Sequence, residues 1–290
     1  MRLGFHVQIA GGWEKTLQRA VDRRCTTLQV FTSAPVQWAR KPLDPAGAAW
    51  FAEQLRARDI QPLFVHAIYL LNLATAEEQL WQRSRDNLAE ELHRAGLLGA
   101  QGVVVHLGSV GAQGDLRQGI RRVARALDSA LAQTNNAVTV LLENCAGQGN
   151  LVGCTPQALG EVIAHTRYPS RLQVCLDTAH AFAAGYPIHT EDGLGALLEE
   201  CDAAFGLERL ALIHANDSKG ALGCNVDRHW HIGRGQIGRE GFRVILNAPR
   251  LRQLAFIMET PSSEEWDARN MRVIRRLVDP HWRPKLPPKR

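Results

Sequence analysis

Six apolar runs along this chain each stop at a side chain able to ligate a cation or move a proton. Leu63-Phe64-Val65 stops at His66, Val103-Val104-Val105 at His106, Val140-Leu141-Leu142 at Glu143, Val174-Cys175-Leu176 at Asp177, Leu210-Ala211-Leu212-Ile213 at His214, and Ala255-Phe256-Ile257-Met258 at Glu259. One such strand end would signify little, because an aspartate there commonly serves as a turn residue or helix cap. His, Asp and Glu together make up about one residue in seven, so six out of six is not a compositional accident. A parallel strand buried on both faces is continuously apolar, and the pattern therefore predicts six buried strands delivering six polar groups to one side of a sheet.

The spacing of these ends selects the architecture. Successive ends lie 34 to 45 residues apart, room for a strand, a crossover helix and two loops. Two further strands are expected at residues 3–7 and 26–31. Helices are expected at 13–23, 46–58, 77–98, 115–133, from Thr155-Pro156 onward, at 192–201 and at 264–278. Segment 181–187, broken by Gly185 and Pro187, is expected to cross the mouth of the sheet. Eight strand–helix units in succession predict an α/β fold, a (β/α)8 TIM barrel in a single domain over residues 1–279. A chain of 290 residues, 45% hydrophobic, can fill one such core. Residues 280–290 form a basic, proline-rich tail expected to be flexible.

A net charge of +5 and a pI near 9.1 lean towards an acidic partner. The six cysteines include no C-x-x-C pair and several lie in apolar runs, which predicts reduced core thiols and a cytoplasmic setting. There is no signal-type apolar block behind Arg2 and no run of membrane-spanning length.

Several loops carry alternatives. Trp38, in the loop 32–45, either stacks on a ligand or caps the rim. The stretch after His66 is unusually apolar, so that Tyr69 and Leu70 either pack down, the reading the residues favour, or form a wedge. The loop from Asn144 to Gly149 is either an anion cradle or a plain turn. The longest loop, 215–237, holds Asp227 and His229, two apart and able to point at one ion from extended backbone. Gly233 to Gly238 matches the dinucleotide fingerprint G-x-G-x-x-G, but a polar loop precedes it where a buried strand is required, which excludes that reading.

Histidines with carboxylates suit zinc or manganese, and the donors exceed what one tetrahedral ion can use, so two or three ions are expected. Clustered ions of this kind are a setting for phosphodiester hydrolysis.

The matching motifs are specific: His66 with Tyr69-Leu70; Val105-His106-x-Gly108-Ser109; Glu143-Asn144-x-Ala146-Gly147-Gln148-Gly149; Asp177-Thr178-x-His180 with Ala181 to Tyr186; His214-x-Asn216-Asp217; Asp227-Arg228-His229; and Glu259-Thr260. Over nearly its whole length the chain resembles endonuclease IV (deoxyribonuclease IV), the zinc-dependent abasic-site nuclease family. That resemblance implies three Zn2+ ions, with Mn2+ an alternative at one position. It assigns His66, His106 and Glu143 to the first, Glu143, Asp177, His214 and Glu259 to the second, and His180, Asp227 and His229 to the third. It makes Glu143 and Glu259 the catalytic carboxylates, and Tyr69 and Leu70 the wedge in the base stack, displacing the packing reading. It further implies a monomer that cuts duplex DNA 5′ to an abasic site and leaves a 3′-hydroxyl.

Val36 stands in place of the family's arginine, Ala67 of an aspartate, Leu107 of a proline and Arg234 of a glutamate. Ala67 offers no side-chain acceptor, so loss of the aspartate is expected to remove support from a metal ligand and to weaken the hold on one ion. A sugar isomerase or epimerase on the same barrel needs only Glu143, Asp177, His214 and Glu259, so the other five donors discriminate against it.

Overall fold

The computed structural model describes residues 1–285; the last five residues of the expected tail lie outside the described residues. In chain order the elements are β1 (Arg2–Val7), α1 (Gly12–Asp22), β2 (Thr27–Val30), α2 (Pro45–Ala57), β3 (Leu63–His66), α3 (Glu78–Leu97), β4 (Gly102–Val105), α4 (Leu116–Ala132), β5 (Thr139–Glu143) and α5 (Pro156–His165). There follow β6 (Leu172–Asp177), α6 (Thr178–Ala183), α7 (Glu191–Phe205), β7 (Leu210–His214), β8 (Asp217–Ser218), β9 (His229–Trp230), α8 (Gly238–Asn247), β10 (Ala255–Met258) and α9 (Glu264–Leu277).

Eight parallel strands close into a barrel in the order β1-β10-β7-β6-β5-β4-β3-β2, as the spacing predicted. Closure brings the first strand against the last, with Leu3 opposite Phe256 and Phe5 opposite Met258. Gly4 permits the neighbouring approach of β1 to β2, because a Cβ at that position would collide with the Thr27 carbonyl.

The helices start where the sequence offers caps. Asp44 accepts from the N–H groups of Ala46 and Gly47 ahead of α2, with Pro45 as its first residue, and Thr155 accepts from Ala158 N–H ahead of α5, with Pro156 in the same role. Ile120, Val123, Leu127 and Leu131 of α4 form the expected stripe and are buried against the sheet.

Side-chain direction along the strands explains the strand-end pattern. The barrel interior is filled by Phe64, Val104, Leu141, Cys175, Leu212 and Ile257. Side chains alternate with period two, so the residue two positions further along each strand again points inward, now at the open mouth. Those residues are His66, His106, Glu143, Asp177, His214 and Glu259.

Three expectations are corrected. Residues 178–183 continue from β6 directly into α6, because the Asp177 carboxylate caps the His180 N–H. The loop 215–237 folds back on itself through the antiparallel β8–β9 pair, Asp217 opposite Trp230. Cys145 and Cys154 are joined as a disulfide in the loop after β5, while Cys25, Cys175 and Cys201 are buried thiols and Cys224 is half-buried. In the described part of the tail Trp282 packs on the core, and Arg275 Nη1 donates to the Pro284 carbonyl at 3.0 Å. Among the described residues no helix is long and apolar enough to cross a membrane.

Candidate metal centre at the barrel mouth

The expected side chains converge in three linked clusters. Glu143, at the end of β5, lies between two of them: its Oε2 is 3.3 Å from His66 Nε2 and 3.4 Å from His106 Nε2, and its Oε1 is 2.8 Å from His214 Nδ1. His214 Nδ1 is also 3.3 Å from Glu259 Oε2 and 3.8 Å from Asp177 Oδ2. The donor atoms of His66, His106 and Glu143 lie within 4.8 Å of one another, as do those of Glu143, Asp177, His214 and Glu259. In the third cluster Asp227 Oδ2 is 3.3 Å from His180 Nε2, and Asp227 Oδ1 is 3.3 Å from His229 Nε2. Asp177 joins it, with Oδ2 3.4 Å from His229 Nε2, and so faces two groups where the family resemblance assigns it to one. Glu143 and Asp177 are completely or almost completely buried.

Each of four imidazoles is held by one nitrogen and offers the other to the cluster. His66 Nδ1 lies 2.7 Å from the carbonyl of its neighbour Ala67, His180 Nδ1 2.9 Å from that of Asn144, and His229 Nδ1 3.3 Å from that of Glu259. His214 is turned the other way, with Nε2 2.9 Å from Gln29 Oε1. A carbonyl accepts only, so each contact fixes a proton on that nitrogen and leaves the other, which faces the carboxylates, as the one that would ligate a cation. The carboxylates are anchored similarly: Asn216 Nδ2 donates to Asp177 Oδ2 at 2.7 Å while its Oδ1 accepts from Glu259 N–H at 2.7 Å.

The electrostatics follow from packing both signs into a dry pocket. Burial alone would raise the Glu143 carboxyl, but His106 and His214 hold it well below the ordinary range. Burial would lower His180, yet Asp177, the Asp227 hydrogen bond and Glu143 push it up to about 10. Carboxylates that favour positive charge this strongly, with imidazole nitrogens among them that would exchange a proton for a metal ion, have the donor chemistry of a site for several divalent cations.

Two contributors escaped the sequence reading. His6 Nδ1 lies 3.0 Å from Glu259 Oε1, and Gln29 Nε2 donates to the same oxygen at 2.7 Å. Their strands end on neither residue, and only the inward parity of β1 and β2, which these positions share with Gly4 and Thr27, marks them.

The remaining expectations resolve as follows. Tyr69 is 54% exposed at the rim, while Leu70 packs on the core; Tyr69 N–H donates to Pro35 O, beside the exposed Val36. Trp38 lies against the core with Arg83 over its ring at 4.4 Å. Arg234 is exposed and stacks over Trp266 at 5.2 Å. The glycine loop serves no dinucleotide: the N–H groups of Gly235, Ile237 and Gly238 donate to the buried Asp217 carboxylate at 2.9, 3.0 and 3.4 Å.

A closed parallel barrel with nine such donors converging at its carboxyl-terminal mouth defines a class, the (β/α)8 barrels with a site suited to several cations. A family model described as xylose isomerase-like TIM barrel matches residues 17–277. A probable endonuclease 4 of Citrifermentans bemidjiense is 41% identical over 280 residues, 96% of this chain and 99% of the relative. One of Methanosphaerula palustris is 42% identical over 285 residues, 97% and 99% of the two chains. Endonuclease IV from Thermus thermophilus superposes with a TM-score of 0.85 at 40% identity, covering 96% of this chain and 98% of that one. The chain belongs to the endonuclease IV family. A D-tagatose 3-epimerase-like protein, TM-score 0.71 at 17% identity over 96% of this chain and 97% of that one, shares the fold.

Proposed function

We propose that the protein is a metal-dependent DNA-repair endonuclease that hydrolyses the phosphodiester on the 5′ side of an abasic site in duplex DNA and leaves a 3′-hydroxyl. The observation that carries this reading is the convergence of nine His, Asp and Glu side chains into three clusters joined by Glu143 and Asp177, in a chain of this family. The donor set fits zinc: nitrogen and carboxylate ligands, with rings pre-oriented by carbonyls. His66, His106 and Glu143 would hold one ion, Glu143, Asp177, His214 and Glu259 a second, and His180, Asp227 and His229 a third, with manganese an alternative at one position. When bound, the ions supply the Lewis acidity and charge neutralisation that phosphodiester hydrolysis requires.

The chain's own residues do the rest. Glu143 and Asp177 span neighbouring clusters and fix their separation. Glu259 is held from below by His6 and Gln29, so it faces the mouth in one orientation. Tyr69 offers an exposed ring at the rim to stack against an unpaired region of duplex, with Leu70 behind it. Lys219 over Trp230, and Arg234 over Trp266 of α9, place cations of the loop that also carries Asp227 and His229 over aromatic rings, chemistry suited to a sugar–phosphate backbone. A monomer working on cytoplasmic DNA accords with this.

The test is metal analysis coupled to cleavage of a duplex oligonucleotide holding one abasic analogue, with and without chelator. About three zinc ions per chain and a single chelator-sensitive nick 5′ to the analogue are expected. One ion per chain, ketose interconversion and intact DNA would instead establish the sugar-epimerase reading, for which five of the nine donors have no use.

A further inference from the structure

Gln29 is fully buried on β2, which pairs with neither β7 nor β10, yet it touches side chains from the ends of both. Its Nε2 donates to Glu259 Oε1 at 2.7 Å and its Oε1 accepts from His214 Nε2 at 2.9 Å. The same Nε2 lies 3.0 Å from His6 Nδ1. The amide can sit only one way round. An ionised carboxylate accepts and never donates, so the NH2 must face Glu259 and the carbonyl must then face His214. A carbonyl in turn demands a proton on His214 Nε2, so Nδ1, 2.8 Å from Glu143 Oε1 and 3.3 Å from Glu259 Oε2, is the nitrogen that would give its lone pair to a cation bound among them. The other three imidazoles take the opposite tautomer from main-chain carbonyls, and His214 alone among the four depends on a side chain for its own.

We propose that Gln29 is a positioning residue that sets the His214 tautomer and the Glu259 rotamer together, and so determines the affinity of the central cation position. This rests on the metal-centre reading above. It also explains why a neutral amide, and not an ionisable group, stands between His214 and Glu259. An aspartate or glutamate would hold His214 but repel Glu259, and a histidine or lysine would hold Glu259 but present no acceptor to His214.

The test uses the zinc-loaded protein, Gln29→Met, which keeps an unbranched chain without donor or acceptor, and Gln29→Glu, which keeps only the acceptor. Zinc affinity is read by competition with a chromophoric chelator, and the His214 tautomer by long-range 1H–15N correlation. Circular dichroism checks that each variant is folded. In Gln29→Met one zinc of the set should bind about 10- to 100-fold more weakly, the others should be retained, and the His214 signal should lose its pure Nε2–H signature. In Gln29→Glu that signature should persist. Wild-type loading and cleavage combined with Gln29→Met affinity within about twofold and an unchanged tautomer would overturn the inference and leave the nuclease reading standing. A wild type that takes up no zinc would overturn the nuclease reading, and this inference with it.

Discussion

His66 is oriented by the residue next to it: its Nδ1 lies 2.7 Å from the main-chain carbonyl oxygen of Ala67. A carbonyl does not change when the side chain changes, so the missing aspartate at position 67 removes no support that His66 requires. Ala67→Ser should therefore leave zinc content unchanged and abasic cleavage within about threefold of wild type. A loss above about tenfold in a folded Ala67→Ser protein would show that side-chain volume at position 67, and not the carbonyl, holds the ring.

Glu143 contacts His66, His106 and His214 with its two oxygens. Gln at this position keeps the shape but removes the charge that two clusters share. Glu143→Gln should reduce cleavage by at least about 100-fold, beyond the range typical of groups one step removed from an ion, and lower the zinc count per chain. Steady-state nicking and elemental analysis decide it; activity within a few-fold of wild type refutes the shared role.

Tyr69 projects from the rim with half its surface exposed, tied by its N–H to Pro35 in the adjacent loop. Removal of a stacking ring costs about 1–3 kcal/mol per base. Tyr69→Ala should thus weaken binding of an abasic duplex by about 5- to 150-fold while zinc content stays at the wild-type value. Equal affinity of the two proteins in a mobility-shift titration would exclude the ring from the DNA contact.

Asp217 is buried and accepts N–H groups from Ser218, Gly235 and Ile237 at 2.9 to 3.0 Å. Its truncation strands buried donors, each at about 1–3 kcal/mol, and loosens the hairpin on which His229 sits. Asp217→Ala should lower Tm by several degrees and reduce zinc retention in the third cluster; a melting curve superimposable on wild type would count against this account of the loop.

The Cys145–Cys154 bridge predicts a thiol count. Protein purified without reductant and denatured should expose four reactive thiols, from Cys25, Cys175, Cys201 and Cys224, and six after reduction. The full six before reduction would restore the expectation drawn from the spacing alone.

The sequence by itself determined the barrel and six of its mouth residues, because both are local statements. An apolar run of three or four residues specifies a buried strand, period two specifies which side chain points inward, and the chain length between runs specifies a crossover helix. Asp227 and His229 were legible for the same reason, lying two apart on extended backbone. Only the tertiary structure decided the rest. Gln29 and His6 reach Glu259 because closure sets β1 against β10. Asp177 reaches His229 because the long loop doubles back through β8 and β9. Cys145 meets Cys154 because the loop after β5 turns on itself. The tautomers of His66, His180 and His229 follow from carbonyls that every residue carries and no residue type announces. Side-chain type and periodicity are written along the chain, whereas a hydrogen-bond partner across a closed sheet is set by where the backbone finally runs.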